Sequence, residues 1–275
     1  MKINKPKGIL VPIGGGGGGL DILERIVKET KKRNPKICYI TVATSSPEEA
    51  EELQEQFSED IGQKGVSFIH FDQHIDADSP ENLAKVRNCD SIFFGGGNQL
   101  RLSSLLGGTK LMDNIKSRYY NEEHFVVAGS SAGAAAMSGT MIISGCSQDA
   151  LIKGELQLTN GLDLINNVFI DTHFTERGRF ARLIQTVVYN PGILGLGLST
   201  NTAAFIYDGD RLEVVGSGLA VVVDGTLIEY SNLTEICDGD PITIQGLRMH
   251  VIGPGKCFSL TERKLTMLSK RVDSH

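Results

Sequence analysis

Phe125-Val126-Val127-Ala128-Gly129-Ser130-Ser131-Ala132-Gly133-Ala134-Ala135-Ala136 reads as a buried strand, a tight turn and the start of a helix. Apolar and β-branched residues make the strand, and small residues follow where the chain must turn sharply. The turn carries G-x-S-x-G with Ser131 at its centre. That spacing suits an elbow that holds a serine in strained backbone with its hydroxyl exposed. Ala132 opens the helix, so its N–H is a candidate donor to a developing oxyanion.

Upstream, short apolar runs alternate with charged helical ones. Gly8–Ile13, Ile37–Thr41, Val66–Phe71 and Ser91–Phe94 read as further strands. Residues 21–32, 47–64 and 98–120 read as helices, the last broken at Gly107-Gly108. This alternation predicts an α/β fold, a mostly parallel sheet sandwiched by helices. Downstream of Gly195 the texture changes to Ala203–Tyr207, Arg211–Val215, Leu219–Val223 and Thr226–Tyr230, with turn signals at Asp208-Gly209 and Asp224-Gly225. Antiparallel C-terminal strands that extend the same sheet are expected there. No linker or repeat divides residues 1–275, so one domain is expected. In open parallel sheets ligands bind beyond the carboxyl ends of strands, here the loops after Ile13, Phe94, Ala128 and Ile170.

Bulk properties exclude several function classes. A formal net charge of −6 argues against nucleic acid or an anionic membrane as the main partner. No apolar tract is long enough to span a bilayer, and the basic N-terminus precedes too short an apolar run for a signal peptide. Five cysteines without a C-x-x-C pair point to a reduced cytoplasmic protein without structural zinc.

Gly14–Gly19 formally satisfies G-x-G-x-x-G, as any run of six glycines does. A dinucleotide fingerprint also needs an acid after the second strand, where the chain reads Thr41-Val42-Ala43-Thr44-Ser45. A flexible backbone loop at the rim of the site is the reading, with phosphate binding as the alternative. Gly95-Gly96-Gly97-Asn98-Gln99 also ends a strand, and a backbone N–H from Gly96 or Gly97 is a candidate second oxyanion donor.

Ser131 needs a base. His124 precedes its strand, roughly 13 Å from the elbow. His70 and His74 lie among Asp72, Asp76 and Asp78 in a loop, His250 in a late strand, and His275 at the terminus. His173, just past the apolar run Val168-Phe169-Ile170, has the right placement. The orienting acid stays open among Asp149, Glu155, Asp163, Asp171 and Glu176. Beyond His173, Arg179 and Arg182 share a face if a helix starts there, where cations oppose the helix dipole unless an anion is bound. A clamp for a substrate carboxylate is the expectation, and an aspartyl-type substrate follows from it.

Gly95-Gly96-Gly97-Asn98-Gln99, Gly129-Ser130-Ser131-Ala132-Gly133-Ala134 and Asp171-Thr172-His173-Phe174 with Arg177, Gly178, Arg179, Arg182 and Leu183 stand in family order. In these the chain resembles the cyanophycinase family of serine peptidases, which includes dipeptidase E. The resemblance runs over nearly the whole chain. It implies a class I glutamine-amidotransferase-like (flavodoxin-like) α/β fold, a cytoplasmic homodimer, and no metal or cofactor. The substrate it implies is cyanophycin, an aspartate backbone carrying arginine on each β-carboxylate, cut to β-Asp-Arg; aspartyl dipeptides are the alternative. By resemblance Ser131, His173 and Asp149 are catalytic; the N–H groups of Ala132 and Gly97 are the expected oxyanion donors. Gln99, Asp171, Arg177, Arg179 and Arg182 match substrate-binding positions, and Thr172 is expected to bind substrate beside them. The chain departs from the family at Thr172, where a glutamine is frequent, and after Gly195-Leu196-Gly197, where an acidic pair is frequent and Ser199-Thr200-Asn201 stands.

Overall fold

A computed structural model describes residues 5–16, 19–62, 65–145 and 151–267. Its centre is five parallel strands: β1 (Ile9–Ile13), β2 (Ile37–Ile40), β3 (Val66–Ile69), β4 (Ser91–Phe94) and β5 (Val126–Ser130). They lie in the order β1-β5-β4-β2-β3. All but β3 are buried along their whole length, as strands covered on both faces must be. Alternation assigns the faces. Ile9, Val11 and Ile13 pack with Ile22, Leu23, Ile26 and Phe57, whereas Leu10 and Val127 join Leu102, Leu106 and Ile115.

The first face is thus covered by α1 (Gly19–Glu29) and α2 (Pro47–Ile61). The second is covered by α3 (Pro80–Asn88), α4 (Gln99–Leu106) and α5 (Lys110–Asn121). Local chemistry sets the ends. The Ser46 side chain accepts from Glu49 N, Pro47 opens α2, and Gly62 closes it at φ 61°. The break at Gly107-Gly108 separates α4 from α5, as expected.

After α6 (Ala132–Ala135), β6 (Thr140–Ser144) pairs antiparallel with β7 (Gln157–Asn160). Then come β8 (Val168–Thr172), α7 (Phe180–Tyr189), β9 (Leu194–Leu198), β10 (Thr202–Tyr207), β11 (Arg211–Gly216) and β12 (Ala220–Asp224). The chain ends in β13 (Tyr230–Ser231), β14 (Ile244–Gln245), β15 (Arg248–Ile252), β16 (Cys257–Ser259) and β17 (Lys264–Thr266). The antiparallel set β10-β11-β16-β17 extends the main sheet from β1.

One expectation about the tail is corrected. β12 does not join that sheet but sits in a second one, ordered β15-β12-β9-β8, in which β8 and β9 are parallel. Residues 226–229 are not a strand, and Asp224-Gly225 is not a hairpin. Asp224 Oδ1 accepts from Thr226 N at 3.0 Å and Thr226 Oγ1 at 2.8 Å, which bends the chain out of the ladder. Its partner returns only as β15. The second sheet turns Ile170, Leu196, Leu198 and Val222 into the main core. Its other face packs Phe169, Val221 and Val223 on Leu183 and Val187 of α7. No helix among the described residues is long and apolar enough to cross a membrane.

Candidate active site

The elbow forms because two glycines permit it. A Cβ on Gly133 would lie 2.3 Å from Phe94 O, and one on Gly129 would lie 2.8 Å from Gly133 C. Between them Ser131 is held at φ 52° and ψ −109°, a conformation that a side chain rarely adopts. Its N–H donates to Ile13 O at 3.0 Å. Ala132 follows as the first residue of α6, and the first N–H groups of a helix have no partner within it.

His173 arrives from the other sheet, one residue past β8, at φ 48°. Its Nε2 lies 2.9 Å from Ser131 Oγ and its Nδ1 3.1 Å from Thr200 Oγ1. Burial, Arg177 and Arg179 together hold the imidazole below its ordinary range, against the opposing pull of Glu176 and Asp171. The ring is therefore neutral near pH 7 and able to accept the hydroxyl proton.

Gly14 to Gly16 are the floor on which these pieces meet. Three successive carbonyls each fasten one part of the site. Ile13 O takes the Ser131 N–H, Gly14 O takes the His173 N–H at 2.7 Å, and Gly15 O takes the Asn201 N–H at 3.0 Å. A Cβ on Gly15 would sit 2.1 Å from His173 Cε1, so the imidazole stacks where only glycine leaves room. These three glycines are close-packed rather than a loose rim, and the carbonyls of Gly14 and Gly15 are taken by protein N–H groups. Gly17 and Gly18 lie outside the described residues.

The arginine cluster is arranged differently from a simple clamp. Asp171, at 2% exposure, accepts from Arg182 Nε at 2.9 Å and from Arg182 Nη2, and takes Arg179 Nη1 at 3.2 Å. Arg182 is itself 9% exposed, so the anion that offsets its place in the first turn of α7 is the protein's own. Arg179 also donates to Thr172 O at 2.7 Å. Thr172 is buried, and Arg177 is exposed.

Gln99 Nε2 donates to Ile142 O at 3.0 Å and so ties α4 to β6. Gly97, at φ 130°, backs onto Ala43 O, whereas Gly96 borders Ser131. Asp149 lies outside the described residues. The residue that meets the outer nitrogen of His173 is Thr200, which the sequence marks only as part of a departure from the family. Beside Ser131 opens a cavity of about 170 Å³ walled by Tyr39, Phe57 and Phe93, with Gln56 and Asp60 also lining it. Tyr39 stacks on Phe57 at 4.4 Å, and burial pushes its hydroxyl up to about 12.

The chain is similar to known peptidases across most of its length. Cyanophycinase of Synechococcus elongatus is 33% identical over 257 residues, covering 92% of this chain and 80% of the relative. That of Geminocystis herdmanii is 31% identical over 241 residues, with 88% of each chain covered. Peptidase E of a Nostoc species is 29% identical over 192 residues, 66% of this chain and 73% of the relative. Among solved structures, a peptidase from an acI-B1 Actinobacterium superposes with a TM-score of 0.66 at 21% identity, covering 93% and 98% of the two chains. That likeness supports the α/β fold. The model for peptidase family S51 matches residues 11–215, which include the elbow, His173 and the arginine cluster, and the chain belongs to that family.

Proposed function

We propose that this peptidase hydrolyses cyanophycin or a close β-aspartyl-arginine polymer through an acyl-enzyme on Ser131, with His173 as base. The observation that carries this reading is the 2.9 Å contact between Ser131 Oγ and His173 Nε2 at a strained strand-to-helix elbow. Ser131 Oγ gives its proton to His173 Nε2 as it bonds to the carbonyl carbon of an aspartyl residue. The oxyanion is held by the N–H of Ala132 and one from the Gly96-Gly97 turn. The C–N bond then breaks, and Nε2 returns the proton to the leaving amine. Water repeats the sequence in reverse and frees Ser131.

The substrate reading draws on the cyanophycinase relatives and on a polarity across Ser131. On one side stand Arg177 and Arg179, suited to carboxylates, with Arg179 held by the buried Asp171. On the other, the aromatic cavity with Asp60 suits a guanidinium, which stacks on ring faces and pairs with a carboxylate. The α2 helix, whose residues 53, 56, 57 and 60 line that cavity, holds seven acidic residues and no basic one. It favours the approach of a polymer coated with arginine. A cytoplasmic homodimer belongs to the same reading.

The test is incubation with insoluble cyanophycin, following clearance and the mass of the products. Release of β-Asp-Arg, lost by at least about 1,000-fold in Ser131→Ala, is the expected result. No clearance by the wild type, with ready hydrolysis of aspartyl dipeptides, would reassign the substrate to the dipeptidase class. Undiminished turnover by Ser131→Ala would overturn the nucleophile.

A further inference from the structure

Glu176 lies three residues beyond His173 in a tight turn, where Arg177 N donates to His173 O at 3.1 Å and Gly178 N to Thr175 O at 3.2 Å. The turn folds the glutamate back onto the loop after β9. Its Oε2 accepts the Thr200 N–H at 3.1 Å, and its Oε1 accepts the Thr175 hydroxyl at 3.0 Å. Thr175 Oγ1 is fixed in turn by Ser199 Oγ at 2.8 Å. The carboxylate is thus seated against the residue that touches the outer nitrogen of the base.

Proton bookkeeping gives this contact a direction. Nε2 receives the Ser131 hydroxyl, so the ring proton resides on Nδ1 and is donated to Thr200 Oγ1. Having accepted there, the Thr200 hydroxyl has one proton to give, and the nearest anion is the Glu176 carboxylate, which already holds the N–H of the same residue at 3.1 Å. We propose that Glu176, acting through the Thr200 hydroxyl, is the acidic member of the catalytic assembly and positions His173. The order is Ser131–His173–Thr200–Glu176, with two positioning residues standing where a triad has one acid. Glu176 stays ionised throughout, and no proton travels along the relay. Its charge, transmitted by a polarised hydroxyl, fixes the tautomer and stabilises the imidazolium that forms when Ser131 attacks.

Among the described residues, two of the other candidate acids are engaged elsewhere. Asp171 is committed to Arg179 and Arg182, and Asp163 lies 3.6 Å from Lys116. Although burial pushes Glu176 up, its own backbone, Thr200 and Thr175 hold it below the usual carboxylate range. The charges that bear on His173 are Arg177 and Arg179, which favour the neutral ring, and Glu176 and Asp171, which favour the cation.

The proposal rests on Ser131 and His173 being the reacting pair, so its test reads that pair without a substrate. The rate at which a fluorophosphonate labels Ser131 is followed against pH. It rises as His173 loses its proton and then reaches a plateau. Thr200→Val is expected to lower the plateau by about 10- to 100-fold, and Thr200→Ser to restore most of it. Glu176→Gln is expected to lower the plateau and move the inflection to lower pH, because loss of an anion disfavours the imidazolium. Thr200→Glu places a carboxylate directly on Nδ1, and in that background the effect of Glu176→Gln is expected to shrink. Far-UV circular dichroism confirms that each variant is folded. A Glu176→Gln enzyme with the wild-type plateau and inflection would overturn the relay. So would equal losses from Glu176→Gln in the wild-type and Thr200→Glu backgrounds. Failure of the wild type to label at Ser131 would instead remove the nucleophile on which the relay rests.

Discussion

At the scale of single residues, Gly15 has the least freedom to change. It combines φ 121° with a position directly beneath the His173 ring. Gly15→Ala is expected to displace the imidazole by about 1 Å or more, lowering kcat about 100-fold, with a smaller effect on KM. Steady-state kinetics on a soluble aspartyl substrate checks it, and an unchanged kcat would show that the ring does not depend on this floor. Ser131 and His173 were legible because each combines a reactive side chain with a place just beyond a strand. Thr200 and Glu176 were not. A threonine after a strand carries no chemical signal of its own, and Glu176 was one acid among five. The roles proposed for them depend on the loop after β9 meeting the turn after β8, a contact that no spacing in the sequence encodes.

Individual elements tell a similar story. The helices α2, α4 and α5 were legible from charge spacing and from the glycine pair between the latter two. The α3 helix was overlooked, although Ser79-Pro80-Glu81 carries a cap, a first-turn proline and a first-turn acid. Acids and histidines just before it, at 70–78, have the polar texture of a loop. At α7 the arginines were legible as a cluster but not their partner. Asp171 lies in β8, eleven positions before Arg182, and only the packing of β8 against α7 brings them together. Asp171→Asn leaves the buried Arg182 guanidinium without its counter-charge and is expected to destabilise the fold by about 3–5 kcal/mol. Urea unfolding followed by circular dichroism measures it. A loss below about 1 kcal/mol would mean that Arg182 reaches water or another anion.

Across the whole molecule, the sheet of five parallel strands was legible and the second sheet was not. The strands β8, β9 and β12 have the same apolar texture as those of the first sheet, and texture does not say which neighbour a strand takes. That division matters because Ser131 belongs to one sheet and His173 to the other. Their alignment relies on packing between sheets and on the single hydrogen bond from His173 N to Gly14 O, which yield more readily than the hydrogen-bonded ladders within them. In rising urea, fluorophosphonate labelling of Ser131 is therefore expected to fade before the far-UV signal. Coincident transitions would show that the sheets part only when each melts.

The three carbonyls of Ile13, Gly14 and Gly15 carry a consequence for the cell. They are made well before the groups they receive, which arrive at residues 131, 173 and 201. A nascent chain holds Ser131 long before it holds His173, and both before the loop of Thr200 and Asn201. With Ser131 and His173 in the proposed roles, the enzyme is born harmless. Its capacity to cut is switched on by completion of its own architecture.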